Sequence, residues 1–359
     1  MARLRIGIIG CGEVVQILHL PALDQLSDLY EVTALCDVSQ SVLTAVGDKW
    51  RIQTRLRDYH DLIALDSVDA VLIANPNPYH TEVILAALEA KKHILVEKPM
   101  CMNLAENDAI ITAQEKAGTI IQVGTMRRYA PAFVEACRLV SEMPEIRLAR
   151  VHDVIGGNAQ FIEPTSKVTR ADDIPAPIMQ ATRDLEQAKI HEAIGEVPDA
   201  LQTAYKILLG LSTHDISAMR ELLGTPKRVL NATQRKNGIY QTATLDYGDY
   251  VCLFETGIDN IPRFDAFLEV YGRDQVVRVD YNTPYVRNLP IRLTVTKSTD
   301  GKNTIQEVIH PGWGDAFTEE WRAFYDNVTH IRTPKTSPAD FRHDLVIFQQ
   351  MIKSMSDTA

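Results

Sequence analysis

"RIGIIGCGEVV", residues 5–15, is a β-branched apolar run that stops at two glycines and passes straight into a helix-compatible stretch. A strand, a tight turn and a helix N-terminus in that order form a grip for a dinucleotide pyrophosphate. Gly10 permits the turn, and Gly12 lets the backbone approach the phosphates. The helix beginning near Glu13 turns its positive end toward them, so Cys11, Gly12, Glu13 and Val14 supply the backbone contacts. The usual third glycine is replaced by Val15, which predicts a slightly displaced helix. Asp37 closes the next apolar run, "YEVTALCD" (30–37), where a carboxylate accepts both hydroxyls of an adenosine ribose. That charge repels a 2′-phosphate, and no Arg or Lys follows in Val38-Ser39-Gln40, so NAD is expected over NADP.

Working outward, "DAVLIAN" (69–75), "KHILVEK" (92–98) and "TIIQVGT" (119–125) continue the strand rhythm with helix-period segments between them. This βαβ alternation predicts an α/β fold whose N-terminal part is a doubly wound parallel sheet. After residue 145 the pattern becomes long strands punctuated by hairpin turns at 247–249, 272–274 and 299–301. A C-terminal α+β domain with a large, mostly antiparallel open sheet is expected there. The division predicted is residues 1–125 for the nucleotide domain and 126–359 for substrate binding and oligomerisation.

Composition narrows the function. The 359 residues exceed one ordinary core, and 45% apolar with 23% charged residues describes a globular protein. A formal charge of −10 without a dense basic run argues against nucleic acid. No stretch reaches the roughly 18 apolar residues of a membrane span and no signal-peptide core follows Met1, so a cytoplasmic protein without a membrane partner is expected. The five cysteines are scattered and never spaced C-x-x-C, which reads as reduced thiols with no metal site.

"IANPNPYHTEVILAALEAKKHILVEKP" (73–99) carries a more specific signal. Its N-P-N-x-x-H turn (Asn75, Pro76, Asn77, His80) followed by E-K-P (Glu97, Lys98, Pro99) resembles the Gfo/Idh/MocA oxidoreductase family. "GTMRRYAP" (124–131) and "THDIS" (213–217) extend the resemblance over nearly the whole chain. It implies an N-terminal Rossmann domain, NAD(P) chemistry at a carbinol carbon of a sugar, glycoside or cyclitol, and a homo-oligomer, dimer or tetramer, built through the C-terminal sheet. It also implies cofactor contacts from Asn75, Pro76, His80, Glu97, Lys98 and Arg128, and substrate contacts from Lys98, Arg128, Tyr129 and His214.

Residue chemistry points the same way. Oxidising a secondary alcohol requires a base for the hydroxyl proton, since the alcohol is far too weak an acid alone. Lys98, at the carboxyl end of the fourth predicted strand and beside a cationic nicotinamide, is expected to have a lowered pKa and to act as that base. His214 stands at the first turn of a helix and is the second catalytic candidate. The resemblance would place a carboxylate four residues upstream of it, but the residue there is Gly210, and Ser217 replaces a second common aspartate. The imidazole is then expected to titrate near the ordinary value of about 6.5, with Asp215 or Asp153 orienting it. "VHDVIGGNAQF" (151–161) offers His152, Asp153, Asn158 and Gln160 as hydroxyl-binding groups. The polar segment from about 163 to 206 is expected to form one or two helices that shape or cover the substrate mouth or reach a neighbouring subunit, or else a solvated insert. Two classes remain, an NAD-dependent dehydrogenase and a non-catalytic NAD-binding sensor or regulatory protein. The presence of both Lys98 and His214 favours the enzyme.

Overall fold

The computed structural model describes residues 3–357. The chain forms two compact units, and each contains one sheet.

The first unit holds β1 (Leu4–Ile9), β2 (Tyr30–Cys36), β3 (Thr54–Leu56), β4 (Ala70–Ile73), β5 (His93–Glu97) and β6 (Ile121–Gly124), all parallel and ordered β3-β2-β1-β4-β5-β6. That is the doubly wound order, with its switch point between β1 and β4. Every residue of β4 is buried, and Ile6, Ile8, Leu72, Ile94 and Leu95 have no exposed surface, because helices cover both faces of a parallel sheet. The strands expected from the apolar runs are present. β3 is the one the sequence did not announce: its three residues, Thr-Arg-Leu, carry too little periodicity. At the first helix Val15, 1% exposed, opens a π-helical turn, Val15–His19.

The first unit is not confined to the N-terminal residues. Ser166–Gly195 and Phe317–Arg342 belong to it together with the chain up to Gly124. The later segment is tied in by aromatic packing. Trp321 is fully buried, its ring meets Tyr30 edge-on at 5.2 Å, and the Tyr30 hydroxyl donates to the Trp321 carbonyl at 2.6 Å.

The second unit carries β7 (Ile146–Gly156), β8 (Arg228–Arg235), β9 (Tyr240–Asp246), β10 (Val251–Asp259), β11 (Phe264–Gly272), β12 (Gln275–Tyr281), β13 (Arg292–Ser298) and β14 (Thr304–Ile309). Their order is β14-β13-β12-β11-β7-β10-β9-β8, antiparallel throughout except for β7 beside β10. Alternation along β7 buries Ala149, Val151, Asp153 and Ile155 on one face, where helices Pro131–Ser141 and Thr213–Leu223 pack. This is the expected mostly antiparallel open sheet.

Candidate functional site

At the carboxyl end of β1, Gly10 has φ +88°, and a Cβ there would lie 2.5 Å from the backbone of Ala74 and Asn75 at the end of β4. Only glycine fits this approach. A Cβ on Gly12 would meet no atom within 4 Å, so that side of the turn is open for phosphate, next to the helical N–H groups from Glu13 onward. Cys11 departs from expectation. Its N–H donates 2.7 Å to the Asp37 carboxylate and its side chain is fully buried, so the N–H assigned to phosphate is held by the neighbouring strand end. The other Asp37 oxygen accepts from Ser39 N at 2.9 Å.

A cavity of about 500 Å³ opens at this edge, lined by Gly10, Asp37, Asn75, Pro76 and, unforeseen from sequence, Arg57 and Ile178. Its largely apolar wall, the Asp37 carboxylate and the buried Asn75 Oδ1, which accepts no hydrogen bond among the described residues, fit the adenosine half of a nicotinamide dinucleotide. Gly10→Ala is expected to cost about 1–3 kcal/mol in backbone strain and to abolish measurable nucleotide binding. Thermal melting and a fluorescence titration with NAD would check both effects.

The E-K-P turn follows β5 on the same carboxyl edge, and the Lys98–Pro99 peptide is cis. Glu97, 9% exposed, accepts from His19 Nε2 at 2.8 Å and from Lys98 N at 3.1 Å. Trp321 Nε1 donates to His19 Nδ1 at 3.1 Å, which fixes the donating proton on Nε2. Burial alone would raise the Glu97 carboxyl, but His19 and Lys98 hold it below the ordinary carboxylate range. Glu97 therefore fixes the Lys98 backbone through a buried chain that begins at Trp321. His80, 1% exposed, contacts the carbonyl oxygens of Pro99 and Asn75 through its two ring nitrogens, each at 2.8 Å. With both nitrogens engaged it joins the N-P-N and E-K-P turns, and burial lowers its pKa against those two bonds. Glu97 and His80, candidates for cofactor contact, both make positioning contacts within the first unit. Lys98 itself is half-buried.

In the second unit His214 is half-buried in the first turn of helix Thr213–Leu223. Asp215 and Asp153, expected to orient it, do something else. Arg127 donates to Asp215 at 2.5 Å and to Asp153 at 3.0 Å, and its guanidinium lies 4.8 Å from the Tyr281 ring centroid. Neither aspartate side chain is appreciably exposed, so Asp153 does not meet substrate hydroxyls here. Burial pushes the Asp215 carboxyl well up, with Arg127 opposing and the Asp153 charge adding to the rise. One cation thus faces two buried carboxylates. Arg128 is likewise engaged, donating to Glu221 at 2.5 Å and to Ser217 at 3.0 Å while 3% exposed. Arg128, expected as a ligand group, is thus tied to Ser217 and Glu221 within the second unit. Tyr129 is 8% exposed, Asn158 donates 3.3 Å to the Tyr285 hydroxyl, and His152 contacts Glu255 at 2.6 Å. At Gly210 a Cβ would meet nothing within 4 Å, so the missing carboxylate is not excluded by packing. None of the five cysteines forms a disulfide, and among the described residues no helix is long and apolar enough to cross a membrane.

Residues 4–125 match the Gfo/Idh/MocA model, described as an oxidoreductase family with an NAD-binding Rossmann fold. Myo-inositol 2-dehydrogenase of Thermotoga maritima is 25% identical over 99% of this chain and 97% of its own. Inositol 2-dehydrogenase of Salmonella typhimurium is 35% identical over 38% of this chain and 41% of its own. Among solved structures, the 3-ketoreductase KijD10 of Actinomadura kijaniata, in complex with NADP and TDP-benzene, gives a TM-score of 0.74 at 19% identity over 98% of both chains, a likeness of fold. Residues 4–125, with the glycine turn and the N-P-N-x-x-H and E-K-P turns, carry the NAD-binding Rossmann fold of the Gfo/Idh/MocA oxidoreductase family, and the whole chain is similar in sequence and fold to the dehydrogenase and ketoreductase named above.

Proposed function

We propose that the protein is an NAD-dependent dehydrogenase acting on a ring secondary hydroxyl of a cyclitol, sugar or glycoside, or on the corresponding ketone. The observation that carries this reading is Lys98, presented at the carboxyl end of β5 by the Trp321–His19–Glu97 chain, on the sheet edge that also bears the nucleotide cavity. The dehydrogenases of inositol among its relatives support the substrate class. Asp37, Asn75, Pro76 and the open face of Gly12 would hold the cofactor, which when bound supplies the hydride acceptor or donor. Lys98 takes the hydroxyl proton on oxidation and returns it on reduction, and His214 is the second proton-handling group. The experiment is a panel of inositols, hexoses and glycosides assayed for formation of reduced nicotinamide. Turnover of a cyclitol or sugar supports the reading, and silence across the panel in both directions favours a sensor.

Cofactor preference rests on Asp37. The protein should bind NAD at least about tenfold more tightly than NADP, a difference of about 1.4 kcal/mol. Equal or reversed affinities in a calorimetric titration would remove that role from Asp37. A homo-oligomer through the eight-stranded sheet accords with the exposed Leu230, Ile305 and Val308 on its outer strands. Sedimentation equilibrium tests it.

A further inference from the structure

The segment 166–195 was expected near the substrate, yet within the first unit it is fastened to the nucleotide edge of the sheet. The Gln16 amide donates to Thr169 O at 2.8 Å and accepts from Thr169 N at 2.9 Å, and Arg170 pairs with Glu13 at 2.9 Å. Farther along, Ile174, Ile178 and Thr182 line the cavity beside Asp37, and Tyr79 hydrogen bonds Thr182 at 3.2 Å.

Between these anchors lie Asp172 and Asp173, at the start of helix Gln40–Trp50. Asp173 accepts from Ser39 Oγ at 2.5 Å, from Ser41 N at 3.1 Å and from Ser41 Oγ at 3.2 Å, while Asp172 accepts from Ser41 Oγ at 3.1 Å. These are the contacts an oxyanion makes at a helix N-terminus: a backbone N–H, flanking hydroxyls and the positive end of the helix. The bonds from Ser39 and Ser41 pull the Asp173 pKa down to about 2, so the anion persists at neutral pH.

The location gives this internal anion a meaning. Ser39 N is already bonded to Asp37, the carboxylate placed for the ribose hydroxyls. The donors that follow Asp37 along the chain, Ser39 Oγ and Ser41 N, are occupied by Asp173. Arg57, a side chain suited to a 2′-phosphate, lines the same cavity, so the groups for such a site are present. We propose that Asp173, assisted by Asp172, is a built-in occupant of the 2′-phosphate subsite and sets the preference for NAD by competing with NADP for its donors. Cofactor choice is then made partly by a segment more than 130 residues beyond Asp37, in addition to Asp37 itself. The proposal rests on the reading of the cavity as a nicotinamide dinucleotide site.

The test measures binding, independently of turnover. NAD and NADP dissociation constants are determined by calorimetry for the full-length protein, for Asp173→Asn, which keeps the side-chain shape, and for Asp172→Ser/Asp173→Ser, with melting curves to confirm folding. The serine pair should bind NADP at least about tenfold more tightly than the parent, with NAD affinity changed by less than about threefold. Asp173→Asn should move in the same direction by a smaller factor. An unchanged ratio of NADP to NAD affinity would overturn the proposal, as would equal changes for both nucleotides, which would mean that the carboxylates only fasten the segment. If the parent protein binds neither nucleotide, the reading of the cavity itself is wrong.

Discussion

Lys98→Ala should lower turnover by roughly 10²–10⁴-fold, the usual contribution of a positioned acid or base, while melting temperature and NAD affinity stay close to those of the parent. The separation is expected because the local architecture is anchored elsewhere. Glu97 holds the Lys98 backbone N–H rather than its ammonium, and the Glu97 carboxylate is fixed from behind by His19 and Trp321. Truncating a half-buried side chain at this turn removes a proton carrier and leaves those bonds in place. The companion change, Trp321→Phe, removes the indole donor to His19. It should lower kcat more than it raises KM if the buried chain positions Lys98. Activity of Lys98→Ala within a few-fold of the parent would move the base to another residue, His214 first.

Arg127→Met should destabilise the second unit by about 3–5 kcal/mol, the cost of stranding buried charge when one partner is removed. The variant leaves the Asp215 and Asp153 carboxylates in a dry site with no cation between them. Its pH dependence has a definite sign. Asp215 is already raised by burial and loses the opposing influence of Arg127, so the folded state binds more protons than the unfolded chain above the ordinary carboxylate range. Stability therefore falls as pH rises, and the gap between variant and parent should widen as pH rises above the ordinary carboxylate range. Denaturant titrations at several pH values check this. A constant gap would mean that removing Arg127 does not change proton binding at Asp215.

What could be read beforehand follows from how local each signal is. The parallel strands were legible because burial on both faces forces short uniform apolar runs such as Ile6–Ile9 and Ile94–Val96. The hairpins of the second sheet were legible from turn residues such as Gly248 and Gly301, both at positive φ. The glycine turn and Asp37 declare themselves by spacing alone. The Arg127 triad could not be found that way: its aspartates lie 26 and 88 residues from the arginine, and no periodicity says that three charges will be buried together. The same limit hid the partners of Arg128 and Asp153, both read as candidate ligand groups, because their ion pairs are visible only once β7 and the helix Thr213–Leu223 are in place. The role of residues 166–195 was hidden for a related reason. Their polarity suited a solvated insert, and only the pairing of Asp173 with Ser39 and Ser41, across more than 130 positions, fixes where they lie.

The central claim, direct dehydrogenation of a ring carbinol with Lys98 as the base, is tested most directly by isotope transfer. A turned-over inositol or sugar carrying deuterium at the oxidised carbon would be incubated with NAD⁺ and the full-length protein, and the reduced cofactor analysed by mass spectrometry. The account predicts deuterium retained stoichiometrically in the reduced nicotinamide, at a rate reduced at least about a hundredfold in Lys98→Ala. Deuterium lost to solvent, or transfer at an undiminished rate without Lys98, would contradict it.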